Sequence, residues 1–314
     1  MSEYYAKAPE DIPDEISKMI EYRRKIIVGS RDSLLAVTQS NLVVDYIRKN
    51  NPDIDVELLT MKTTGDIKLD GPLYDMGGKG LFVKELDIAL RDKRSDLSVH
   101  SLKDLPMEVP EDLPIIGFSA REDERDVLVL PKGVKEYDGK KPIGCSSLRR
   151  ILQLEKLFPG AEIKSVRGNL QTRLRKLDEG EFGAIILAAA GLKRLGLEDR
   201  ISRYFDPEEL LPSCGQGILC VQGRAGVDYG FLQGFFDENA TAQALAERAF
   251  VKGVNGGCSS PIAAHAKIIG DDLELTALYY HEDTKSYEKH VMSAPKSDAE
   301  RLGADMATFF LTRI

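Results

Sequence analysis

Short apolar runs and longer stretches of helical spacing alternate along most of the chain. The runs at residues 26–28, 56–59, 97–99 and 127–130 are brief and rich in valine, isoleucine and leucine, with Glu57 and Ser98 as their only polar members. Such runs are typical of strands buried on both faces. Segments with apolar residues near a 3.6-residue period separate them. The alternation predicts α/β layers.

The clearest predicted helix follows Ser33. Apolar residues recur at helical spacing from Leu34 to Ile47, and Pro52 ends the pattern. Ser33 or Asp32 is available as the N-cap, because a short polar side chain there can accept a hydrogen bond from a free backbone N–H.

A second α/β unit follows in the middle of the chain. Ile143 leads through a polar turn into a helical pattern at residues 146–152, and Ile163 leads through another into residues 170–177. The run GAIILAAA at residues 183–190 is predicted as a central strand of small residues. We therefore expect a second sheet with its own helices.

The pattern changes after Phe236. It predicts a helix at residues 240–251, three strands at 262–269, 273–280 and 286–292, and a closing helix at 299–312. Asp271 and Asp272 occupy a position suited to a hairpin turn. These elements predict a small antiparallel sheet covered by helix on one face.

Composition limits the classes of function. The chain has 314 residues, long for one core, and a formal net charge of -8, which argues against nucleic-acid binding because phosphate backbones favour a basic face. No apolar run approaches the roughly 20 residues that span a bilayer, and the N-terminal residues are acidic and polar. We expect a cytoplasmic protein with no membrane or nucleic-acid partner.

Cysteine and histidine spacing predicts free thiols and no metal site. The cysteines are Cys145, Cys214, Cys220 and Cys258, and none forms a CxxC pair. The histidines are scattered without the spacing of metal ligands.

Arginines cluster at predicted helix starts. Arg31 precedes the first helix, Arg149 and Arg150 lie in the first turn of the second, and Arg167 and Arg173 flank the start of the third. Cations are unfavourable at the positive end of a helix dipole unless an anion binds there as well. The pattern indicates a bound carboxylate or phosphate. The alternative, surface arginines placed by chance, stays open for any single one.

Three loops carry candidate chemistry. Lys79 lies in the segment GGKGLF, which lacks the spacing of a P-loop. This segment is either a basic lid or a plain glycine turn. Lys103 and Asp104 follow a predicted strand in HSLKDLP, where they are either a solvated ion pair or a pair that anchors a carboxylate and stabilises a cation. Cys258 lies in a glycine- and serine-rich loop, as either an attachment nucleophile or an inert thiol.

Together these segments resemble the porphobilinogen deaminase family from about Lys25 to the C-terminus. The segments that carry the resemblance, in chain order, are GSRDSLLAVTQ, GGKGLFVKE, HSLKDLP, REDERDVLV, SSLRR, RGNLQTRL, AIILAAAGLKRLG, LPSCGQG, AERAF and GGCSSPI. Cys145, where threonine is common, and Leu34, where proline is frequent, depart from the family pattern.

The resemblance implies a hydroxymethylbilane synthase. Cys258 would hold a dipyrromethane cofactor through a thioether, onto which four porphobilinogen molecules are joined head to tail with loss of ammonia. Asp104 and Lys103 are implied as the catalytic pair. The implied cofactor- and substrate-binding residues are Arg31, Ser33, Gln39, Lys79, Ser147, Arg149, Arg150, Arg167, Asn169, Arg173 and Arg194.

The implied architecture is two α/β domains resembling type II periplasmic binding proteins around a cleft, plus a small α+β domain with a three-stranded antiparallel sheet. Expected boundaries are an extension at 1–24, domain 1 at 25–119 and 215–236, domain 2 at 120–214, and domain 3 at 237–314. We expect a monomer whose partner is the small molecule porphobilinogen. The alternatives are a non-catalytic two-domain binding module and a family member that binds pyrroles without turnover.

Overall fold

The computed structural model describes residues 24–67, 83–257 and 260–312. The short helix expected within residues 15–22 lies outside these ranges. The strands are β1 (Arg24–Arg31), β2 (Ile54–Met61), β3 (Leu97–Ser101), β4 (Ile115–Phe118), β5 (Asp126–Val129), β6 (Ile143–Gly144), β7 (Ile163–Lys164), β8 (Ala184–Ala188), β9 (Arg203–Tyr204), β10 (Leu219–Gly223), β11 (Ala263–Ile269), β12 (Asp272–His281) and β13 (Ser286–Pro295). The α-helices are α1 (Leu34–Asn50), α2 (Thr64–Ile67), α3 (Lys84–Arg91), α4 (Leu148–Leu157), α5 (Leu170–Asp178), α6 (Ala189–Arg194), α7 (Glu238–Gly253) and α8 (Ala299–Leu311).

The first sheet has the strand order β2-β1-β3-β10-β4. Strands β2, β1 and β3 are parallel, whereas β10 runs antiparallel to both β3 and β4. The predicted apolar runs form its interior, where Val28 and Leu97 pack with Val43 and Ile47 of α1. Burial on both faces explains why β1 and β3 read as mostly apolar runs. Strand β2, at the edge of the sheet, instead alternates buried and exposed residues over its first half.

The second sheet repeats this arrangement with the order β7-β6-β8-β5-β9. Its first three strands are parallel, and β5 runs antiparallel to β8. The expected α/β fold class, with two similarly arranged sheets, is confirmed. The predicted strand at residues 183–190 is too long, because its alanine-rich end turns into α6 at Ala189, in keeping with the high helix propensity of alanine.

The third sheet is antiparallel, in the order β11-β12-β13. Helices α7 and α8 cover one face and enclose a core that includes Phe250, Leu275 and Phe310. The two helices approach so closely that a Cβ added to Gly303 would lie 2.2 Å from the carbonyl oxygen of Ala246. The predicted small α+β unit is therefore present.

The chain passes between the first two sheets twice, once between β4 and β5 and once between β9 and β10. The two crossing segments contact each other where the Glu122 N–H donates to the Gly217 carbonyl at 3.1 Å. Gly217 has a φ of +90°, and a Cβ there would lie 2.2 Å from the Glu122 oxygen. Only glycine fits this approach. The exact domain boundaries stay a prediction.

No helix among the described residues is long and apolar enough to cross a membrane.

Candidate active site

Asp104 lies at the end of a short 3-10 turn that directly follows β3. The turn spans Leu102–Asp104 and closes with a hydrogen bond from the Leu105 N–H to the Leu102 carbonyl. Leu102 and Leu105 are buried and fix the turn to the core, whereas Asp104 is exposed. The carboxylate is therefore held on a rigid support at the C-terminal end of a strand, where ligands of α/β sheets bind.

Lys103 points from the same turn into the protein. Its Nζ donates a hydrogen bond to Oε1 of Gln216 at 3.3 Å. Burial lowers the pKa of Lys103 to about 8, although the negative charge of Asp104 opposes the shift. Lys103 and Asp104, a possible surface ion pair in the sequence, thus occupy different environments: Asp104 is exposed and Lys103 is partly buried.

The second sheet contributes a buried carboxylate between two arginines. Asp126 Oδ2 accepts from Arg149 Nη1 at 2.8 Å, and Oδ1 accepts from Arg150 Nη2 at 2.7 Å. The side chains are 0, 4 and 9% exposed, respectively. The charge pattern of the sequence predicts an external anion at these arginines, but each already has an internal partner. Asp126, at the start of β5, was not among the predicted site residues.

The charges in this cluster determine the ionisation of Asp126. Burial alone raises the pKa of a carboxyl group. In Asp126 the charges of Arg149 and Arg150, together with their hydrogen bonds, outweigh burial and hold the pKa well below its usual range. Two cations and one anion leave a net positive charge at the start of α4, so the site can still attract an anionic ligand.

Two arginine nitrogens near this cluster have no hydrogen-bond partner among the described residues. They are Nε of Arg150 and Nη1 of Arg167, and both atoms are buried. Burial lowers the pKa of Arg173, and the charge of Arg150 lowers it further. Buried donors without partners are costly, and crowded cations favour a bound anion. These arginines fit a ligand that carries several carboxylates.

The first unit places three predicted residues around the start of α1. Arg31 ends β1, and Ser33 is the N-cap whose Oγ accepts from the Ala36 N–H at 3.4 Å, as predicted. Gln39 is buried and its Oε1 accepts from Ser101 Oγ at 3.1 Å. This bond joins α1 to the end of β3, directly before the turn that carries Asp104.

The remaining predicted residues in the described part of the chain are positioned by the second unit. Asn169 caps α5, with its Oδ1 accepting from the Thr172 N–H at 2.9 Å. Ser147 is the N-cap residue of α4 but makes no side-chain capping bond. Arg194 donates to the Gly217 carbonyl at 2.6 Å, and burial lowers its pKa to about 10. Arg194 therefore contacts the second crossing segment.

Lys79 and Cys258, both predicted as site residues, lie outside the described residues. Of the other cysteines, Cys145 is buried and burial raises the pKa of its thiol, so it is a poor nucleophile despite its closeness to Arg150. Within the described ranges, no group of three His, Cys, Asp or Glu side chains is arranged to hold a metal ion.

Comparison with known proteins identifies the family. Residues 26–229 match the family profile "Porphobilinogen deaminase, dipyromethane cofactor binding domain", and residues 241–312 match "Porphobilinogen deaminase, C-terminal domain". The chain belongs to the porphobilinogen deaminase family.

Curated members of the porphobilinogen deaminase family are similar over nearly their whole length. The porphobilinogen deaminase of Alkaliphilus oremlandii is 55% identical over 283 residues, which cover 90% of this chain and 95% of the relative. That of Acetivibrio thermocellus is 53% identical over 283 residues, covering 90% and 97%.

Solved structures with other names are similar at low identity. The periplasmic aliphatic sulphonate binding protein SsuA of Escherichia coli has 12% identity and a TM-score of 0.42, covering 92% of this chain and 87% of that one. The BenM effector binding domain has 16% identity and a TM-score of 0.40, covering 72% and 94%.

The family assignment confirms the sequence prediction of a transferase with a dipyrromethane cofactor binding domain. The family assignment therefore favours an enzyme over the alternative hypothesis of a non-catalytic binding module. The arginine cluster, which fits a ligand with several carboxylates, lies within the residues that match this cofactor-binding profile.

Proposed function

We propose that this member of the porphobilinogen deaminase family joins porphobilinogen molecules through Asp104, Lys103 and Cys258, and releases linear hydroxymethylbilane for tetrapyrrole biosynthesis. The observation that carries the assignment of these roles is the placement of an exposed carboxylate, Asp104, beside a buried cationic cluster. Gln216 links Lys103 to that cluster, because its side chain bonds both to Lys103 and to Asp126. A cation-forming step on an anionic substrate needs both features.

Asp104 is the charge stabiliser in this proposal. Loss of ammonia from porphobilinogen leaves positive charge on the pyrrole methylene group, and an adjacent carboxylate stabilises that charge and accepts hydrogen bonds from pyrrole N–H groups. Because its turn is fixed by buried Leu102 and Leu105, the carboxylate needs little reorganisation during the reaction.

The cationic residues bind carboxylates. Each pyrrole carries an acetate and a propionate, so a growing chain accumulates negative charge. When bound, the dipyrromethane group supplies the terminal pyrrole to which the next unit is joined. In this proposal, residues from the second unit hold its carboxylates, namely Ser147, Arg149, Arg150, Arg167, Asn169 and Arg173. Arg31, Ser33, Gln39, Lys79 and Arg194 bind the incoming or the growing chain.

Intact-mass spectrometry of the purified protein, before and after a small excess of porphobilinogen, tests the proposal. We expect an added mass of two linked pyrroles that rises in pyrrole steps with substrate. Cys258→Ser should lack the added mass. Asp104→Ala should fold and retain little turnover, whereas Asp45→Ala, on exposed α1 surface, should match the native protein.

Two results would contradict this assignment. Normal turnover in Asp104→Ala would remove Asp104 from the reaction. A bare polypeptide mass that substrate leaves unchanged would instead favour a family member that binds pyrroles without turnover.

We further propose a cytoplasmic monomer with the domain boundaries expected from the sequence. Sheet membership supports the return of residues 215–236 to domain 1, because β10 pairs with β3 and β4 of the first sheet. Sedimentation at several protein concentrations tests the oligomeric state.

A further inference from the structure

Gln216 joins the two halves of the site. The residue is 1% exposed. Oε1 accepts from Lys103 Nζ at 3.3 Å, and Nε2 donates to Asp126 Oδ1 at 2.8 Å and to the Glu124 carbonyl at 2.7 Å. One amide thus contacts the lysine of the first unit and the carboxylate that holds the arginines of the second.

The backbone leaves Gln216 little freedom. The residue lies between Gly215 and Gly217, whose φ angles are +69° and +90°, and a Cβ on either glycine would clash with Leu102 or Glu122. The Gln216 carbonyl also accepts from Arg121 Nε at 2.9 Å. The crossing segment is therefore fixed on both sides of the residue whose side chain reaches into the site.

The chemistry of the neighbours fixes the orientation of the amide. A lysine ammonium can only donate and an ionised carboxylate can only accept, so the amide oxygen must face Lys103 and the amide nitrogen must face Asp126. The amide thus connects Asp126 to Lys103 through two hydrogen bonds and adds no charge of its own. Glutamate or methionine has nearly the same length, but neither can make both contacts.

We propose that Gln216 is a positioning residue that couples Lys103 to the Asp126–arginine cluster, so that the ionisation and placement of Lys103 depend on this amide. The inference rests on the role proposed above for Lys103. It predicts that Gln216 variants change the reaction through Lys103 and not merely through the stability of the fold.

The surroundings of Lys103 define what its titration reports. Among the described residues, the charged groups that act on it include Asp104 on its own turn, Arg149 and Arg150 on α4, and Asp126 on β5. A change at position 216 alters the contact with Lys103 directly while all four of these groups stay in the sequence. A shift in the Lys103 titration can therefore be assigned to the loss of the amide.

The test follows the Lys103 titration in Gln216→Met and Gln216→Glu, using the cofactor-loaded protein labelled with 13Cε-lysine. NMR records the lysine signals against pH, and Lys103→Met identifies the signal of Lys103. In Gln216→Met the loss of an acceptor should lower the Lys103 midpoint, whereas in Gln216→Glu a carboxylate within hydrogen-bond distance should raise it by about one unit or more. The alkaline limb of the kcat profile should move in the same two directions.

Gln222→Met is the matched control. Gln222 is a buried glutamine on β10 that bonds to His100 and to the Leu113 carbonyl, so its loss should lower thermal stability without moving the Lys103 midpoint. An unchanged midpoint in both Gln216 variants would overturn the coupling. If the Lys103 midpoint shifts but the alkaline limb of the kcat profile does not, Lys103 takes no part in the reaction and the positioning role is overturned. Stepwise mass growth on Cys258 would still establish the family activity in that case.

Discussion

Arg121 and Glu247 form a buried ion pair with two contacts, 2.6 Å from Nη1 to Oε1 and 3.2 Å from Nη2 to Oε2. The same carboxylate accepts from the Gly215 N–H at 2.6 Å and from the Ala266 N–H at 2.8 Å. One side chain of α7 therefore holds both crossing segments and the first strand of the third sheet. All three units meet at this carboxylate.

Replacing Glu247 should strongly destabilise the protein. Glu247→Gln leaves Arg121, which is 7% exposed, with no counter-charge from that carboxylate, and breaking a buried pair typically costs about 3–5 kcal/mol. We expect a correspondingly lower urea midpoint. Glu238→Gln, exposed at the start of the same helix, should lose less than about 1 kcal/mol. Equal losses in the two variants would show that the buried pair has no special role.

Asp126 should be required both for stability and for binding. Asp126→Asn leaves two buried arginines without their counter-charge, so we expect a loss of about 3 kcal/mol or more at pH 7 and poor retention of the cofactor. Asp112→Asn, which breaks an exposed pair with Arg91 at 2.7 Å, should lose less than about 1 kcal/mol. Urea unfolding and intact mass measure the two effects.

The same substitution has a defined pH dependence. Because the folded-state pKa of Asp126 is depressed, its contribution to stability is present above the unfolded-state pKa of about 4 and is lost as the pH falls through the lower folded value. The gap in stability between native protein and Asp126→Asn should therefore narrow only below about pH 4. A gap that closes already at pH 6 would contradict the pairing.

Much of the fold could be predicted from the periodicity of apolar residues, because burial of one face or both faces of an element dictates that periodicity. The apolar runs became β1, β2, β3 and β5, and Ser33 caps α1 as expected. The return of β10 to the first sheet is invisible in the local pattern, since a strand's neighbours depend on pairing across the chain. It was expected only through the family resemblance.

The site was predicted less completely than the fold. The sign of the charges at helix starts drew attention to Arg149 and Arg150, but it could not reveal that Asp126, 23 residues before Arg149, already pairs with them. Gln216 gave no signal either, because an uncharged amide violates no local rule. Both lie in motifs that carry the family resemblance, REDERDVLV and LPSCGQG, and only their contacts disclose what they do.

Arg167 should matter for the cofactor more than for the fold. Its buried Nη1 has no hydrogen-bond partner among the described residues, so Arg167→Met removes an unsatisfied donor and should change the stability of the cofactor-free protein by less than about 1 kcal/mol. In Arg167→Met, the increase in thermal stability that the cofactor confers should be smaller than in the native protein. Thermal unfolding of both forms measures this. An equal loss of stability in the two forms would assign Arg167 a structural role.

His100 is buried on β3 and keeps a single tautomer. Gln222 uses its amide nitrogen to donate to the Leu113 carbonyl at 2.9 Å, so its oxygen accepts from His100 Nε2 at 3.1 Å. The ring therefore carries a proton on Nε2. Burial lowers the pKa of His100 to about 4, and the hydrogen bond to Gln222 only partly offsets this.

A neutral buried histidine should make the protein sensitive to acid. The ordinary pKa of the unfolded histidine is 6.5, so as the pH falls below that value the unfolded chain binds a proton that the folded protein excludes, and stability declines until the pH reaches about 4. The full decline is of the order of 3 kcal/mol. His100→Gln should lack this component, so urea midpoints at pH 7.5 and 5 should differ less in the variant than in the native protein. An identical pH difference in His100→Gln and the native protein would show that His100 is not the group excluded from protonation.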